Sequence, residues 1–388
     1  MAEWQTVRLG SIIKTNQSTF SPKDSWKFVN YLDTGNITMN RIDEIQYIDM
    51  TTDQLPSRAR RKVKFNNILY STVRPNQLHY GIIKEQPDNF LVSTGFVVID
   101  VDEEKAVPDY IYYVLTQQEV TEQLHAIAEQ SVSAYPSLKP VDIENLEVLL
   151  PDIETQRKVV SILSSIDGKI TKNAEINNNL QQQAAALFSS LYDRSSTEVR
   201  FTDLIQILGG GTPKTGENTY WNGNIAFFTP KDVGTPYTLI TEKTISKEGL
   251  SHCNSRLYPV NTVFVTARGT VGKVGMSGVP MAMNQSCYAL VGKETHQLLV
   301  YFYTLKAVDR LKHKASGAVF DAITTRDFES EQIMKLSDDD ATAFLRVAEP
   351  MFQEVLNNNI ENLRLSTLRN SLLPKLMSGE IDVSVVQL

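Results

Sequence analysis

Arg74, Asn76, Gln77, His79 and Tyr80 lie within one short stretch of chain, and Arg268, Thr270 and Lys273 lie within another. Arginine can pair bidentately with guanine in the major groove, and asparagine or glutamine with adenine, so both clusters carry base-edge chemistry. Arg58, Arg60, Arg61, Lys62 and Lys64 crowd ahead of the first cluster. Cations at that density suit backbone phosphates, which position a protein without specifying sequence. Lys214, Thr215, Tyr220, Trp221, Lys231, Asn284 and Gln285 are further candidates in the second half of the chain. Tyr220 and Trp221 read equally well as core aromatics, and Asn284 and Gln285 as turn residues.

Catalytic chemistry finds fewer footholds. A phosphate-binding loop needs Gly-x-x-x-x-Gly-Lys-Ser/Thr, and Gly209–Thr215 has glycines and Lys214 but not that spacing. It reads as a turn with phosphate contact open to it. Pro87-Asp88 with Glu103-Glu104-Lys105 fits the loose pattern of a metal-dependent nuclease, a pattern short enough to arise by chance. No Asn/Asp-Pro-Pro-aromatic loop for a flipped adenine and no Gly-x-Ser-x-Gly elbow is present. His79, His125, His252, His296 and His313 are scattered without metal-ligand spacing, and Cys253 and Cys287 make neither a disulfide framework nor a metal site. They read as small buried residues in a reducing cytoplasm. The start Met1-Ala2-Glu3-Trp4 has no secretory pattern, and no run approaches the ~20 apolar residues of a membrane helix.

The elements that must position these residues come in two copies. Val7-Arg8-Leu9 with Ile12-Ile13 returns as Val199-Arg200-Phe201 with Leu204-Ile205. Ile68–Arg74 returns as Thr262–Arg268, with Gly81 and Gly275 each seven residues after the arginine. Ile111–Leu115 returns as Tyr301–Leu305, and Asp142-Ile143-Glu144 as Asp327-Phe328-Glu329. Similarity at so long a period means a duplicated unit. The runs Asn67–Val73, Leu91–Val101, Asn224–Thr229, Thr262–Ala267 and Cys287–Val291 read as strands, and Asp109–Thr116 and Gln297–Lys312 as short helices. The fold class is α+β.

A long helix closes each copy. Leu163, Ile166, Ile170, Asn173, Asn177, Leu180, Ala184, Leu187 and Leu191 recur at steps of three and four, a heptad seam. Adding 185 gives Ala348, Met351, Val355, Asn358, Asn362, Leu365, Arg369, Leu372 and Leu376, with the same Asn-Asn interruption. Polar residues at seam positions fix register. The two helices are therefore expected to pair antiparallel, asparagine against asparagine, as a coiled coil of roughly 50 Å. Pro350 is expected near the start of the second helix, with Pro374 and Gly379 at its end. The expected division is 1–150 and 196–337 for the globular domains, and 151–195 and 338–388 for the helices. Near-twofold symmetry within one chain suits a reader of two half-sites on a duplex, with the helices as the ruler between them.

The net charge of −7 argues against nucleic acid, but its distribution does not. Pro56–Lys84 holds seven bases and no acid, Gly249–Lys293 holds four and no acid, and Asp100–Glu154 holds thirteen acids and two bases.

Leu149-Leu150-Pro151-Asp152-Ile153-Glu154-Thr155-Gln156-Arg157-Lys158 resembles the segment that opens the central conserved region of type I restriction–modification specificity subunits. Leu372–Ile381 resembles their C-terminal conserved segment. Gly210-Gly211-Thr212-Pro213 with Tyr220-Trp221-Asn222-Gly223, Ala267–Gly272 and Ser316–Phe320 are similar to parts of their recognition domains. The first half departs from the pattern, with Arg74–Gly81 in place of the Arg-Gly-Thr-Val-Gly loop. The resemblance implies a non-catalytic, DNA-binding subunit that reads an asymmetric bipartite site in double-stranded DNA. It implies docking of two adenine-N6 methyltransferase subunits on the helices, where Glu154, Gln156 and Arg157 are candidate contacts, and recruitment of nuclease–translocase subunits. S-adenosylmethionine, ATP and Mg²⁺ would then be bound by those partners, with none held by this chain. Two other readings stay open on the residues alone: a stand-alone nuclease or methyltransferase, and a coiled-coil adaptor without DNA contact.

Overall fold

The computed structural model describes residues 4–21, 23–130, 137–234, 236–314, 322–384 and 386. The chain divides into two compact units, Met1–Gly168 with Leu365–Leu388, and Lys169–Arg364.

The first unit runs β1 (Gln5–Arg8), β2 (Ile13–Thr15), β3 (Phe28–Leu32), β4 (Ile37–Thr38), β5 (Arg41–Ile42), β6 (Gln46–Asp49), β7 (Ala59–Lys62), β8 (Ile68–Ser71), β9 (Tyr80–Ile82), β10 (Phe90–Ser93) and β11 (Phe96–Val101). Helices α1 (Pro108–Leu115), α2 (Gln118–Glu129) and α3 (Pro140–Glu144), strand β12 (Glu147–Leu150) and the long α4 (Ile153–Asp193), which belongs to this unit as far as Gly168, follow. The second unit runs β13 (Thr197–Arg200), α5 (Phe201–Leu204), β14 (Ile205–Gly209), β15 (Trp221–Phe228), β16 (Tyr237–Thr238), β17 (Lys243–Ile245), α6 (Lys247–Ser251), β18 (Val263–Thr266), β19 (Val274–Ser277), β20 (Met281–Met283), β21 (Cys287–Gly292), α7 (Gln297–Lys314), α8 (Thr325–Ser330), β22 (Gln332–Lys335) and α9 (Asp338–Met377).

The duplication seen in the sequence is a duplication of topology. One sheet is ordered β2-β11-β8-β9 in the first unit and β14-β21-β18-β19-β16 in the second. The other places β3 between antiparallel β6 and parallel β10, as β15 lies between antiparallel β17 and parallel β20. A short antiparallel pair, β1 with β12 and β13 with β22, brings the start of each unit to its end. Asp142 and Asp327 each accept the backbone N–H three residues earlier, from Lys139 at 2.7 Å and Thr324 at 2.7 Å, so one capping geometry starts both α3 and α8.

Each unit packs two apolar layers. Ile68, Tyr70, Val97 and Ile99 face the helices, and Leu69, Phe96 and Val98 face the second sheet. Val263, Val265 and Leu290 face the helices of the second unit, and Phe264, Cys287 and Ala289 its second sheet. Side chains alternate along a strand, so a slip of one residue exchanges the faces. Leu69 therefore matches Phe264, an offset of 195, whereas Gly81 and Gly275, opposite them on the next strand, keep 194. The second unit's loop is one residue shorter. This corrects the expected match of Arg74 with Arg268: Arg74 corresponds to Gly269, both left-handed at φ 47° and 83°, and Arg268 corresponds to Val73. Val73 and Arg268 make equivalent bridges, to Ser137 and Ala322.

The expected strand Leu91–Val101 is two strands in different sheets, broken at Thr94-Gly95. A Cβ on Gly95 would lie 2.8 Å from Thr34 Cγ2, so a side chain there would push the Thr34 side chain aside.

The long helices have 41 and 40 residues, about 60 Å each, longer than the seam suggested. Asp152 caps the first, accepting the Thr155 N–H at 2.8 Å, and Ser337 the second, accepting the Asp340 N–H at 3.1 Å. Leu163 and Leu376 are buried with Val159, Leu373 and Met377 in the first unit, Leu372 packs beside them, and Ile166 and Leu365 are half-buried. In the second unit Leu191, Ala184, Ala348 and Val355 are buried, with Leu180, Leu187 and Met351 against them. Asn173 and Asn177 meet Asn362 and Asn358 as the descending pairs of an antiparallel arrangement. Asn362 also donates to the Ile170 carbonyl at 3.3 Å. Pro350 lies well inside α9, and the helix continues through Pro374 to Met377, both corrections to the expected termini. Gly379, at φ +76°, makes the left-handed turn that follows, with no room for a side chain against Trp4.

Candidate nucleic-acid interface

The β10–β11 turn organises one end of the first unit. Thr94 N–H donates to the Arg58 carbonyl and Thr72 N–H to the Gly95 carbonyl, each at 2.8 Å. Arg58 and the Arg74 loop therefore share that end. Pro75–Gln77 forms a 3-10 turn between two left-handed residues, Arg74 and Leu78, and packs on α2. Arg74, Asn76 and Gln77 are exposed on it.

His79 and Tyr80 do not join them. His79 Nδ1 lies 2.7 Å from the Ile37 carbonyl and 3.2 Å from Thr38 Oγ1, which ties the ring to the β4–β5 hairpin. Tyr80 is 5% exposed and stacks on Tyr70 with ring centroids 5.8 Å apart. Its alternation with His79 turns it into the core, so the expectation that it faces a groove is corrected.

The basic stretch also changes character. Lys62 Nζ reaches Asp24 Oδ1 at 2.5 Å and sits 5.2 Å from the Trp26 ring centroid. Lys64 pairs with Asp100 at 2.9 Å and Lys84 with Asp109 at 2.8 Å. Charges separated along the chain are thus neutralised in space, Lys64 and Lys84 by the acid-rich stretch and Lys62 by Asp24. Among the described residues, the bases of Pro56–Lys84 without an ion pair are all arginines: Arg58, whose charge still acts on the Asp33 carboxylate, Arg60, Arg61 and Arg74. Arg61 Nε is buried with no hydrogen-bond acceptor, and burial pulls the guanidinium below its ordinary range.

In the second unit four loops converge. Ala267 and Arg268 N–H donate to the Ser286 carbonyl at 2.8 and 3.2 Å, and Asn284 N–H to the Phe228 carbonyl at 3.0 Å. Thr270 Oγ1 donates to the Pro230 carbonyl at 3.2 Å, and Thr212 Oγ1 donates to Gln285 Oε1. Gly210 passes so close that a Cβ would sit 2.1 Å from the Asn284 carbonyl oxygen, which explains a glycine there. Arg268, Thr270, Asn284, Gln285 and the Lys231 loop therefore gather at one end, with Lys231 Nζ 3.5 Å from Glu242. Asn284 accepts the Ser286 N–H at 3.0 Å, the turn role, while Gln285 is exposed. Lys273 is exposed where the loop rejoins β19.

Tyr220, Trp221, Lys214 and Thr215 form a second group around the start of β15, where the strand bulges so that Trp221 and Ile225 both face Ile245. Trp221 Nε1 donates to the Lys214 carbonyl at 3.1 Å, the ring packs edge-on against Phe227, and Lys243 Nζ lies 5.8 Å from it. Tyr220 stacks on His252 at 4.9 Å. Lys243 and His252 carried no signal in the sequence, because neither falls in a cluster or a motif. The segment Ser316–Phe320 lies outside the described residues.

The candidate docking residues separate as well. Gln156 is wholly buried, its Oε1 accepting the Val107 N–H and its Nε2 donating to the Pro151 carbonyl, both at 2.8 Å. It braces α1 against α4 and offers nothing to a partner, which corrects that assignment. Glu154 and Arg157 are exposed, Glu154 with an ion pair to Lys158 at 3.1 Å. Among the described residues no three His, Cys, Asp or Glu side chains group to hold a metal ion, so Asp88, Glu103 and Glu104 do not assemble. Among the described residues no helix is long and apolar enough to cross a membrane.

Residues 1–182 and 194–335 each match the sequence model of the type I restriction modification DNA specificity domain. The chain is 25% identical to the type I restriction enzyme HindI specificity subunit of Haemophilus influenzae, over 98% of this chain and all of that protein. It is 28% identical to the EcoR124I/EcoR124II specificity subunit of Escherichia coli over 53% of each. The crystal structure of a type I restriction-modification S subunit from M. genitalium aligns with 97% of this chain and 96% of that one at 14% identity and a TM-score of 0.61, a likeness of fold. A chain that folds as two topologically equivalent units, each matched by that domain, belongs to the type I restriction–modification DNA specificity family.

Proposed function

We propose that this chain is the DNA-reading subunit of a type I restriction–modification complex, and that each unit reads one block of an asymmetric bipartite site. One observation carries the reading: the two units keep one topology but differ where their exposed loops converge. In the first unit that end carries Arg58, Arg74, Asn76 and Gln77. In the second it carries Arg268, Thr270 and Gln285. Equal scaffolds with unequal donors and acceptors suit two different sequences.

Arg58, Arg60 and Arg61, cations without an ion pair among the described residues, supply phosphate contacts to the first unit. The long helices set the gap between blocks and offer their outer faces, with Glu154 and Arg157, to two adenine methyltransferase subunits. Nuclease–translocase subunits join through that assembly. S-adenosylmethionine, ATP and Mg²⁺ belong to those partners. The chain itself contributes binding and position, not bond-making.

The test is a graft. Residues 197–335 are replaced by the equivalent domain of another family member, and the methylated sequence of the assembled complex is read. The expected outcome is a change in one block alone. A change in both blocks, or in neither, contradicts the assignment of one block to each unit.

A further inference from the structure

We propose that Lys312, at the end of α7, contacts a DNA phosphate and belongs with Arg268 and Lys273 to the second unit's reading surface. The inference rests on the reading of the chain as a DNA-reading subunit.

The loop that holds Arg268, Thr270 and Lys273 turns through two glycines in the left-handed region, Gly269 at φ +83° and Gly272 at φ +74°. A Cβ on Gly272 would lie 2.6 Å from Lys312 Cε, 3.1 Å from Val308 Cγ1 and 3.4 Å from Lys312 Nζ. The lysine stem therefore lies on the loop backbone, with its ammonium beside the turn.

The neighbouring basic side chains of α7 all have partners. Lys306 sits 5.2 Å from the Tyr192 ring, Arg310 lies 3.8 Å from Glu331 Oε1, Lys314 reaches Glu331 Oε2, and His313 lies 3.7 Å from Asp309. Lys312, Arg268 and Lys273 are exposed and have no carboxylate partner among the described residues. A helix C-terminus favours cations in general, but that effect does not aim one side chain at one loop. Three cations around a single turn, with no carboxylate partner among the described residues, suit a ligand of repeated negative charge, and a duplex backbone is such a ligand.

The first unit lacks this device. There α2 packs on the 3-10 turn, and residues 118–129 contain Glu119, Glu122 and Glu129 but no lysine or arginine. Among the described bases of Pro56–Lys84, those without an ion pair are Arg58 just before β7, Arg60 and Arg61 on β7, and Arg74 in the loop after β8, none of them on α2. The two units therefore grip the backbone from different elements.

The alternative is that Lys312 only covers Gly272 with its methylene stem. Lys312→Gln separates the two, because glutamine keeps most of the stem and loses the charge. The experiment uses the assembled methyltransferase complex and a duplex carrying the site mapped from its own methylation, with a scrambled duplex beside it. Affinity is measured across a salt series. The expected result is several-fold weaker binding on both duplexes and a log–log salt slope shallower by about one. Lys306→Gln, on the same helix, is expected to leave the slope unchanged. An unchanged slope in Lys312→Gln, or a loss confined to the mapped duplex, overturns the phosphate assignment. If the wild-type complex itself shows no preference for the mapped duplex, the DNA-reading assignment fails first and this one falls with it.

Discussion

Asn173 Nδ2 donates to Asn362 Oδ1 at 2.9 Å, and one turn away Asn358 Nδ2 donates to Asn177 Oδ1, also at 2.9 Å. Both layers are interior, with Asn173 and Asn177 at 0% and 5% exposure and Asn358 at 6%. Glu361 accepts a further hydrogen bond from Asn173 at 2.6 Å and takes Lys169 at 3.3 Å. An amide opposite an amide finds a partner, leaving only Asn173 Oδ1 of the four amides' described atoms buried without one, whereas an amide opposite leucine finds none. The ladder therefore favours one register out of those the heptads allow.

Breaking one side of the ladder is expected to destabilise more than removing both. Asn358→Leu leaves Asn177 Oδ1 without its donor, while Asn177 Nδ2 keeps Asn359, and is expected to cost about 1–3 kcal/mol of unfolding free energy. Asn177→Leu with Asn358→Leu restores apolar packing and is expected to recover most of that loss. Denaturant titration of the three proteins gives the comparison. A double variant that loses the sum of two single losses contradicts the account.

Gln156→Ala removes two hydrogen bonds, one that holds Val107 at the start of α1 to α4 and one to the Pro151 carbonyl just ahead of α4. The expected effect is a loss of about 1–3 kcal/mol with copurification of the methyltransferase subunit unchanged in the folded fraction. Arg157→Glu, on the exposed face, is expected to do the reverse. Thermal unfolding and affinity copurification of both variants check the pair.

Arg74 occupies the left-handed region at φ 47°, ψ 70°, a conformation glycine adopts without strain. Arg74→Gly is expected to raise stability by up to about 1 kcal/mol while weakening discrimination in the first block by about 1–3 kcal/mol. Arg74→Ala keeps the strain and loses the discrimination. Arg268→Ala is expected to affect only the second block. Competition binding with single-base variants of each block reads all three.

The Lys62 hydrogen bond, then the Ser21 backbone N–H, hold the Asp24 carboxyl below its usual 3.8. A carboxylate so depressed contributes stability that is fully present above its unfolded pKa of about 3.9 and is lost as pH falls through the folded value. Trp26 lies under Lys62, so its environment should change in that acid window and not at neutral pH. Fluorescence titration is expected to show a transition below about pH 4 that Asp24→Asn abolishes. Persistence of the transition in Asp24→Asn contradicts the assignment.

Burial pushes the Cys287 thiol up to about 12, whereas Cys253 is half-buried. Native protein at pH 8 is therefore expected to alkylate at Cys253 and to spare Cys287 until unfolded, as mass spectrometry of the peptides would record.

The duplication, the α+β class and the antiparallel helices were legible because they rest on periodicity and on order along the chain. The Asn-Asn interruption marked the ladder because buried amides are rare on a leucine seam. Other features depend on which face a residue takes, and a short run does not declare that. Tyr80 follows His79 into a strand and turns inward, and Arg268 is displaced by one from its apparent partner Arg74 because the second loop is one residue shorter. Gln156 sits in a run of polar residues at a helix start, where nothing local distinguishes a surface contact from a buried brace. Ion pairing escaped notice for the same reason. Lys64 and Asp100 are far apart in the chain and meet only when β11 has found its place beside β8 and β2.

The central claim is that one chain reads two different blocks at a fixed spacing. Coexpression with the neighbouring methyltransferase subunit, followed by single-molecule mapping of N6-methyladenine across the host genome, tests it most directly. The account predicts one split motif, two unlike short blocks around a single gap length, with one adenine marked on each strand. A continuous motif, two identical blocks, or no new methylation from a soluble copurified complex would contradict it.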